Sequence, residues 1–150
     1  MRSLRKKVTV DANIIVAALV YGSPKSQLLI DTVNDEDELV MTNIILMQCA
    51  RQGKKKGCPL DCEEIERRVR AICKDVVMVE VIPLEKLKER YYIRDDKDYE
   101  ILYSADVTES DFLVTTDKDF FDPRRPVKGL RAKILHMDEY LRRKRPPGEF

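Results

Sequence analysis

Histidine is nearly absent: the chain of 150 residues holds one, His136. A Ser-His or Cys-His nucleophile pair could run only through that side chain, and its place within a predicted strand reads as structural. Glycine is sparse too, with five residues. None builds a phosphate loop: Gly53-Lys54-Lys55-Lys56-Gly57 lacks the Walker spacing and follows a predicted helix instead of a strand, which leaves a nucleotide-binding Rossmann reading without its fingerprint. No apolar run approaches the ~20 residues of a membrane span, and residues 1–7 lack the apolar segment of a secretory signal. The expectation is a cytoplasmic protein with no membrane partner. The four cysteines all fall between positions 49 and 73. Cys58 and Cys62 have a spacing that zinc sites can use, but the paired C-x-x-C knuckles are missing, so reduced thiols are the default reading.

Neither sign of charge dominates, since 28 basic residues face 27 acidic ones for a net charge of +1. That balance gives no global attraction to nucleic acid, so any such binding must come from local patches. Two are visible: Arg51 with Lys54, Lys55 and Lys56, and Arg142, Arg143, Lys144 and Arg145 just before Pro146-Pro147. The plain reading of each is a solvated loop or a loose chain end. The charged fraction of 37% is well above the usual quarter or so and suggests an ion-pair-rich surface. A chain of this size buries roughly 70% of its unfolded surface without disulfide staples. One domain over residues 1–140 with a basic, proline-containing tail over 141–150 is expected.

What the chain does have is a regular alternation of elements. Residues 8–11 form a strand, and Asn13 is placed to cap a short helix carrying Ile14, Ile15, Ala17, Ala18 and Leu19. Ser23 as N-cap with Pro24 at the first helical position opens a second helix. A strand over 39–42 leads into a helix over 43–52 whose Ile44, Ile45 and Met47 point inward, with Gln48 on the face of Ile44. Residues 53–57 read as a basic loop, and Asp61 with Glu64 forms a capping box for the next helix. The nearly unbroken apolar run 76–82 predicts a strand buried on both faces. Pro83 opens a helix to position 92, residues 98–106 form another, 112–116 a strand, 133–137 the last strand, and 138–143 a terminal helix. Such alternation predicts a mostly parallel sheet with ligands bound outside the carboxyl ends of its strands.

Two aspartates close strands of this kind. Asp11 ends Val8-Thr9-Val10-Asp11, and Asp117 ends Phe112-Leu113-Val114-Thr115-Thr116-Asp117. Asp98 sits in the first turn of the helix that leads into the second of these strands, and Asp119 follows Asp117 by two residues. Phosphodiester hydrolysis without a side-chain nucleophile needs hard divalent cations, and Mg²⁺ or Mn²⁺ demand oxygen ligands. A cluster of carboxylates is then the protein's share of the chemistry. Each residue also has a plainer role, Asp98 as an N-cap and Asp117 and Asp119 as turn formers. Asp11, wedged between an apolar strand and an apolar helix, is harder to dismiss, because an unpaired charge there is costly.

The pieces Val10-Asp11-Ala12-Asn13-Ile14-Ile15, Arg94-Asp95-Asp96-Lys97-Asp98 running into Ile101 and Ala105, and Phe112-Leu113-Val114-Thr115-Thr116-Asp117-Lys118-Asp119-Phe120 resemble PIN domains. With Gly22-Ser23-Pro24, the likeness is to the branch of toxin components of toxin–antitoxin systems, and it covers about residues 7 to 140. The resemblance implies a three-layer α/β/α sandwich with a central, mostly parallel sheet, an acidic pocket for Mg²⁺ or Mn²⁺, and metal-dependent cleavage of single-stranded RNA. Carried over by position, Asp11, Asp98 and Asp117 are the catalytic metal ligands, Asn13 and Thr115 support the pocket, and Asp119 is an auxiliary acid. The second acidic position departs from the family pattern, because Gln48 stands where a glutamate is usual. Its amide oxygen can still accept a hydrogen bond or ligate a cation, but the pocket loses one charge and with it some divalent affinity.

Two functions from different classes follow. The first is an endoribonuclease acting on single-stranded RNA, with an antitoxin protein as a partner. The alternative is a PIN domain weakened by Gln48 that serves as an RNA- or protein-binding module. Association as a homodimer is also expected, because the helices near 14–19 and 84–92 carry more apolar residues than one core face needs.

Overall fold

The computed structural model describes residues 5–55, 60–73 and 75–144. Five short strands, β1 (Lys7–Val10), β2 (Glu38–Thr42), β3 (Val76–Val77), β4 (Phe112–Thr115) and β5 (Lys133–His136), form one sheet in the order β3-β2-β1-β4-β5. Every strand pair in it is parallel. Parallel strands need crossovers, and among the described residues α1 (Ala12–Leu19), α2 (Pro24–Glu36), α3 (Asn43–Lys55), α4 (Cys62–Ile72), α5 (Leu84–Arg90) and α6 (Tyr99–Val107) lie between strands, while α7 (Met137–Lys144) follows the last one. The result is the expected three-layer α/β/α sandwich. Its core includes Val8, Val10, Met41, Leu113, Val114 and Leu135 from the strands and Ile15, Leu29, Ile45, Leu102 and Tyr140 from the helices.

The strand order positions the site. β1 is central, with β2 and then β3 added on one side and β4 and then β5 on the other, so the direction of winding switches between β1 and β4. Backbone loops part at such a point and leave a crevice at the carboxyl ends of the two strands. Register puts Val10 beside Val114, so Asp11 after β1 and Thr116 and Asp117 after β4 are carried to the same edge of the sheet.

Several local expectations are corrected. Only Val76 and Val77 of the run 76–82 are in a strand, at the edge of the sheet, and Val77, Met78 and Val81 are exposed, Met78 by 73%. The ladder with β2 ends because Thr42 is its last strand residue and Asn43 already begins α3. In place of a ladder partner, the Asn43 side chain holds Val79, donating Nδ2–H to its carbonyl at 3.1 Å and accepting from its N–H at 2.8 Å. Met47 is 51% exposed and does not point inward. It lies two residues from Ile45, roughly 200° around the helix, while Ile44, Ile45, Leu46 and Cys49 are buried.

Residues 53–55 continue α3 where a basic loop is expected. Gly53 is buried, and a Cβ on it would run into Ile65 Cδ1 of α4, so this glycine admits a neighbouring helix instead of ending its own. Lys56, Gly57 and Cys58 lie outside the described residues, as do Arg145, Pro146 and Pro147. Asn13 is not the cap of α1, which begins at Ala12 with Asp11 in the cap position. Ser23 does cap α2 and Asp61 caps α4, each accepting a backbone N–H three residues on. Cys49, Cys62 and Cys73 are free thiols. Burial and the nearby charge of Asp11 push the Cys49 thiol up to about 12, so it stays protonated and inert.

Candidate metal centre

Asp11 occupies the turn from β1 into α1. Its N–H donates to the Val114 carbonyl at 3.0 Å, and its own carbonyl accepts from Ile14 and Ile15, so its backbone is tied to β4 and to α1 at once. Its side chain does not cap the helix. Instead, the wholly buried Thr115 donates its hydroxyl to Asp11 Oδ2 at 2.7 Å, and the same hydroxyl oxygen accepts from the Asp117 N–H at 3.1 Å. One threonine therefore ties the ends of both strands together. Burial pushes the Asp11 carboxyl above its ordinary value, the Thr115 bond pulls it down, and the charge of Asp117 pushes it up again.

Asp98 closes a 3₁₀ turn, Asp96–Asp98, and stands in the cap position of α6 without making a side-chain cap bond. The plain reading of this residue as an N-cap therefore fails. Its Oδ2 is shut from solvent and has no hydrogen-bond partner among the described residues. Burial first, and then the charges of Asp117, Asp11, Asp95 and Asp119, push this carboxyl up to about 8. Four other acids thus act on one. A buried anion so placed needs a cation or a proton.

Asp11, Asn13, Gln48, Asp98 and Asp117 line a single cavity of about 430 Å³. Thr115 lies beneath it, bonded to Asp11. Arg51, Lys97 and Glu100 also line it, which brings one of the expected basic residues to the site. Asp119 lines the neighbouring cleft and lies 3.8 Å from Arg94. Asp117 does act as a turn former, its Oδ1 accepting the Asp119 N–H at 2.9 Å.

The tightest grouping of carboxylate oxygens differs from the expected set. One oxygen each from Asp95, Asp98 and Asp119 lie within 4.8 Å of one another. Ligands bound at 2.0 to 2.6 Å from one ion are at most about 5 Å apart, so these three could share a divalent cation. Asp95 is absent from the expected ligands, because what brings it to Asp98 is the 3₁₀ turn between them. In a 3₁₀ turn, side chains three apart eclipse one another, which puts Asp95 and Asp98 on one side.

No protein-family model matches the sequence, and no curated protein matches it either. Solved structures match through the fold. The chain is similar to VapBC2 from Rickettsia felis bound to a DNA fragment from their promoter, at 14% identity and a TM-score of 0.55, over 87% of this chain and 98% of that one. It is also similar to PAE2754 from Pyrobaculum aerophilum, at 14% identity and a TM-score of 0.56, over 94% of this chain and 98% of that one. At such identity what is shared is the fold, and the class it defines is the PIN-like α/β/α sandwich. Within the described residues no helix is long and apolar enough to cross a membrane.

Proposed function

We propose that this protein is a metal-dependent endoribonuclease acting on single-stranded RNA, the toxin half of a toxin–antitoxin pair. The observation that carries the proposal is Asp98 Oδ2, a buried oxygen without a partner, set among Asp11, Asp95, Asp117 and Asp119 at the switch point of a PIN-like sheet. Asp11, Asp98 and Asp117 would hold Mg²⁺ or Mn²⁺, with Asp95 and Asp119 close enough to Asp98 to share the task. A bound cation supplies an attacking water of lowered pKa and neutralises charge that builds up on the phosphate. Thr115 holds Asp11 in place, and Asn13 and Gln48 offer polar contacts at the wall. Arg51 and Lys97, at the same cavity, can take phosphate oxygens and so set the register of a strand.

The test is cleavage of a single-stranded RNA in Mn²⁺, beside an Asp11→Asn control prepared identically. Cleavage by the wild-type protein alone, abolished by a chelator, is expected. Equal cleavage by both preparations would mean a contaminating nuclease and end the proposal. The second reading, a weakened domain that binds without cutting, is favoured by Gln48, which brings an amide to the cavity wall in place of a fourth carboxylate.

The proposal includes association. Here the apolar helix α1 gives no support, because Ala12, Ile14, Ile15, Val16 and Ala18 are all buried within one copy. The surface that supports pairing is the edge of the sheet, where Val77, Met78, Val81 and Leu84 are exposed together along the chain.

A further inference from the structure

A second cleft, of about 1330 Å³, adjoins the acidic cavity and shares Asp95 and Asp117 with it. Phe121 and His136 are both on its wall, their ring centroids 5.8 Å apart and their planes inclined at 53°. Phe121 is 40% exposed, an aromatic face left open to a polar cleft. Its position is set by the turn after β4, where its N–H donates to the Lys118 carbonyl at 2.9 Å. His136 ends β5, and its Nδ1 accepts the Asp138 N–H at 3.1 Å, so the neutral ring keeps its proton on Nε2 and has that donor left to offer.

We propose that this cleft is a nucleobase subsite, in which an unpaired base of the RNA strand stacks on the Phe121 ring beside His136. This rests on the reading of the protein as a ribonuclease of single-stranded RNA. Phosphate attraction alone would not select the cleft, because Asp95, Asp96, Asp117, Asp119 and Asp122 outnumber Arg94, Lys118 and Arg124 on its wall. Stacking needs no net charge, since every base has a π-face.

The acids are also largely spoken for. Asp95, Asp117 and Asp119 belong to the metal centre, Asp96 pairs with Lys88 at 3.1 Å, and Asp122 faces Arg124 at 3.6 Å. Arg94 and Arg124 have side chains exposed by 56% and 90% and only long contacts to acids, so exchanging those contacts for the phosphates flanking a stacked base costs little. The shared wall at Asp95 and Asp117 puts the base next to the position where the strand would be cut.

The experiment measures binding of a short fluorescein-labelled single-stranded RNA by anisotropy, in Ca²⁺ to avoid cleavage, with the wild-type protein, Phe121→Ala and Phe121→Trp. A second strand carries abasic positions in place of its bases. Loss of roughly tenfold or more in affinity is expected for Phe121→Ala, recovery for Phe121→Trp, and no Phe121 effect on the abasic strand. Mn²⁺ affinity by calorimetry should be the same in all three proteins, which also shows that each variant is folded.

Equal RNA affinity in Phe121→Ala and wild type would overturn the proposal, as would an equal loss with Phe121→Trp or no binding by the wild type. Tighter competition by an oligolysine peptide than by RNA would also overturn it, in favour of a cationic peptide in the cleft. Mn²⁺-dependent cleavage with no Phe121 effect on binding removes the subsite and leaves the nuclease. Phe121-dependent binding without cleavage does the reverse.

Discussion

Asp98 concentrates the electrostatics of the site in one side chain. With its carboxyl pushed up to about 8, it should still hold a proton at neutral pH in the metal-free protein, and NMR titration should place its midpoint far above the ordinary carboxylate range. The sign of the stability effect follows. The folded state binds this proton more tightly than the unfolded state, so the stability it favours is whole below about pH 4 and is lost as pH rises toward 8. Asp98→Asn should flatten that decline, and thermal melts of the metal-free protein at pH 5 and pH 8 compare the two. A midpoint for Asp98 in the ordinary carboxylate range would mean the acids around it are dispersed in solution. Gln48 gives the complementary charge test. Gln48→Glu adds a carboxylate to the cavity at nearly constant shape, worth ~1 to 3 kcal/mol toward a divalent ion, or roughly a tenfold to hundredfold gain in calorimetric affinity. Unchanged affinity would remove Gln48 from the ligand position. Asp11, Asp98 and Asp117 were open to inspection in the sequence because strand ends and a helix start carry them. Asp95 was not, because its approach to Asp98 depends on a 3₁₀ turn that composition does not announce.

At the scale of elements, the strands that were legible are those with a partner along their whole length. β1, β2, β4 and β5 each show a short apolar run closed by a polar residue, and each pairs in parallel over three residues or more. The run 76–82 carries the same apolar signal but meets β2 at only two positions. Hydropathy reports what a segment could bury, not whether a neighbour is long enough to cover it. Gly53 was misleading for a related reason, since a glycine inside a helix marks a break or a close approach and only the partner helix decides which. Gly53→Ala tests this. Alanine favours the helix by about 0.5 to 1 kcal/mol, but its methyl meets Ile65 Cδ1 in the tight core, where overpacking costs about 1 to 3 kcal/mol. The variant should therefore be less stable by roughly 1 kcal/mol in a chemical melt. Adding Ile65→Val removes Cδ1, and the alanine should then become neutral or stabilising relative to Ile65→Val alone. Destabilisation that persists in that background would point to backbone strain in α3 instead of a methyl clash.

For the whole molecule, the question is what covers the far edge of the sheet. The edge strand β3 lies on the opposite flank from β5, and Val77 within it and Met78, Val81 and Leu84 after it stand exposed at 44%, 73%, 58% and 37%. Open sheet edges are usually blunted by charge, proline or a covering element, because unpaired backbone invites another chain. Here the chain supplies Asn43, which satisfies Val79 and stops the ladder, but it leaves the apolar side chains bare. Four exposed apolar residues within eight positions of the chain are the sort of feature an association site would cover. A homodimer through this edge should therefore be visible by light scattering at tens of micromolar, since an interface of standard size survives that dilution. Met78→Asp with Val81→Asp should convert it to a monomer that still folds and whose melt no longer depends on protein concentration, because both side chains are exposed in one copy and contribute little to its core. The acidic cavity and the aromatic cleft are lined by Asp11 and α1, by α3, by α6 and the turn before it, by the segment after β4 and by the end of β5, so neither draws a residue from this edge. Loss of pairing should accordingly leave Mn²⁺ affinity as it was. A wild-type protein that is a monomer at that concentration would remove pairing through this edge.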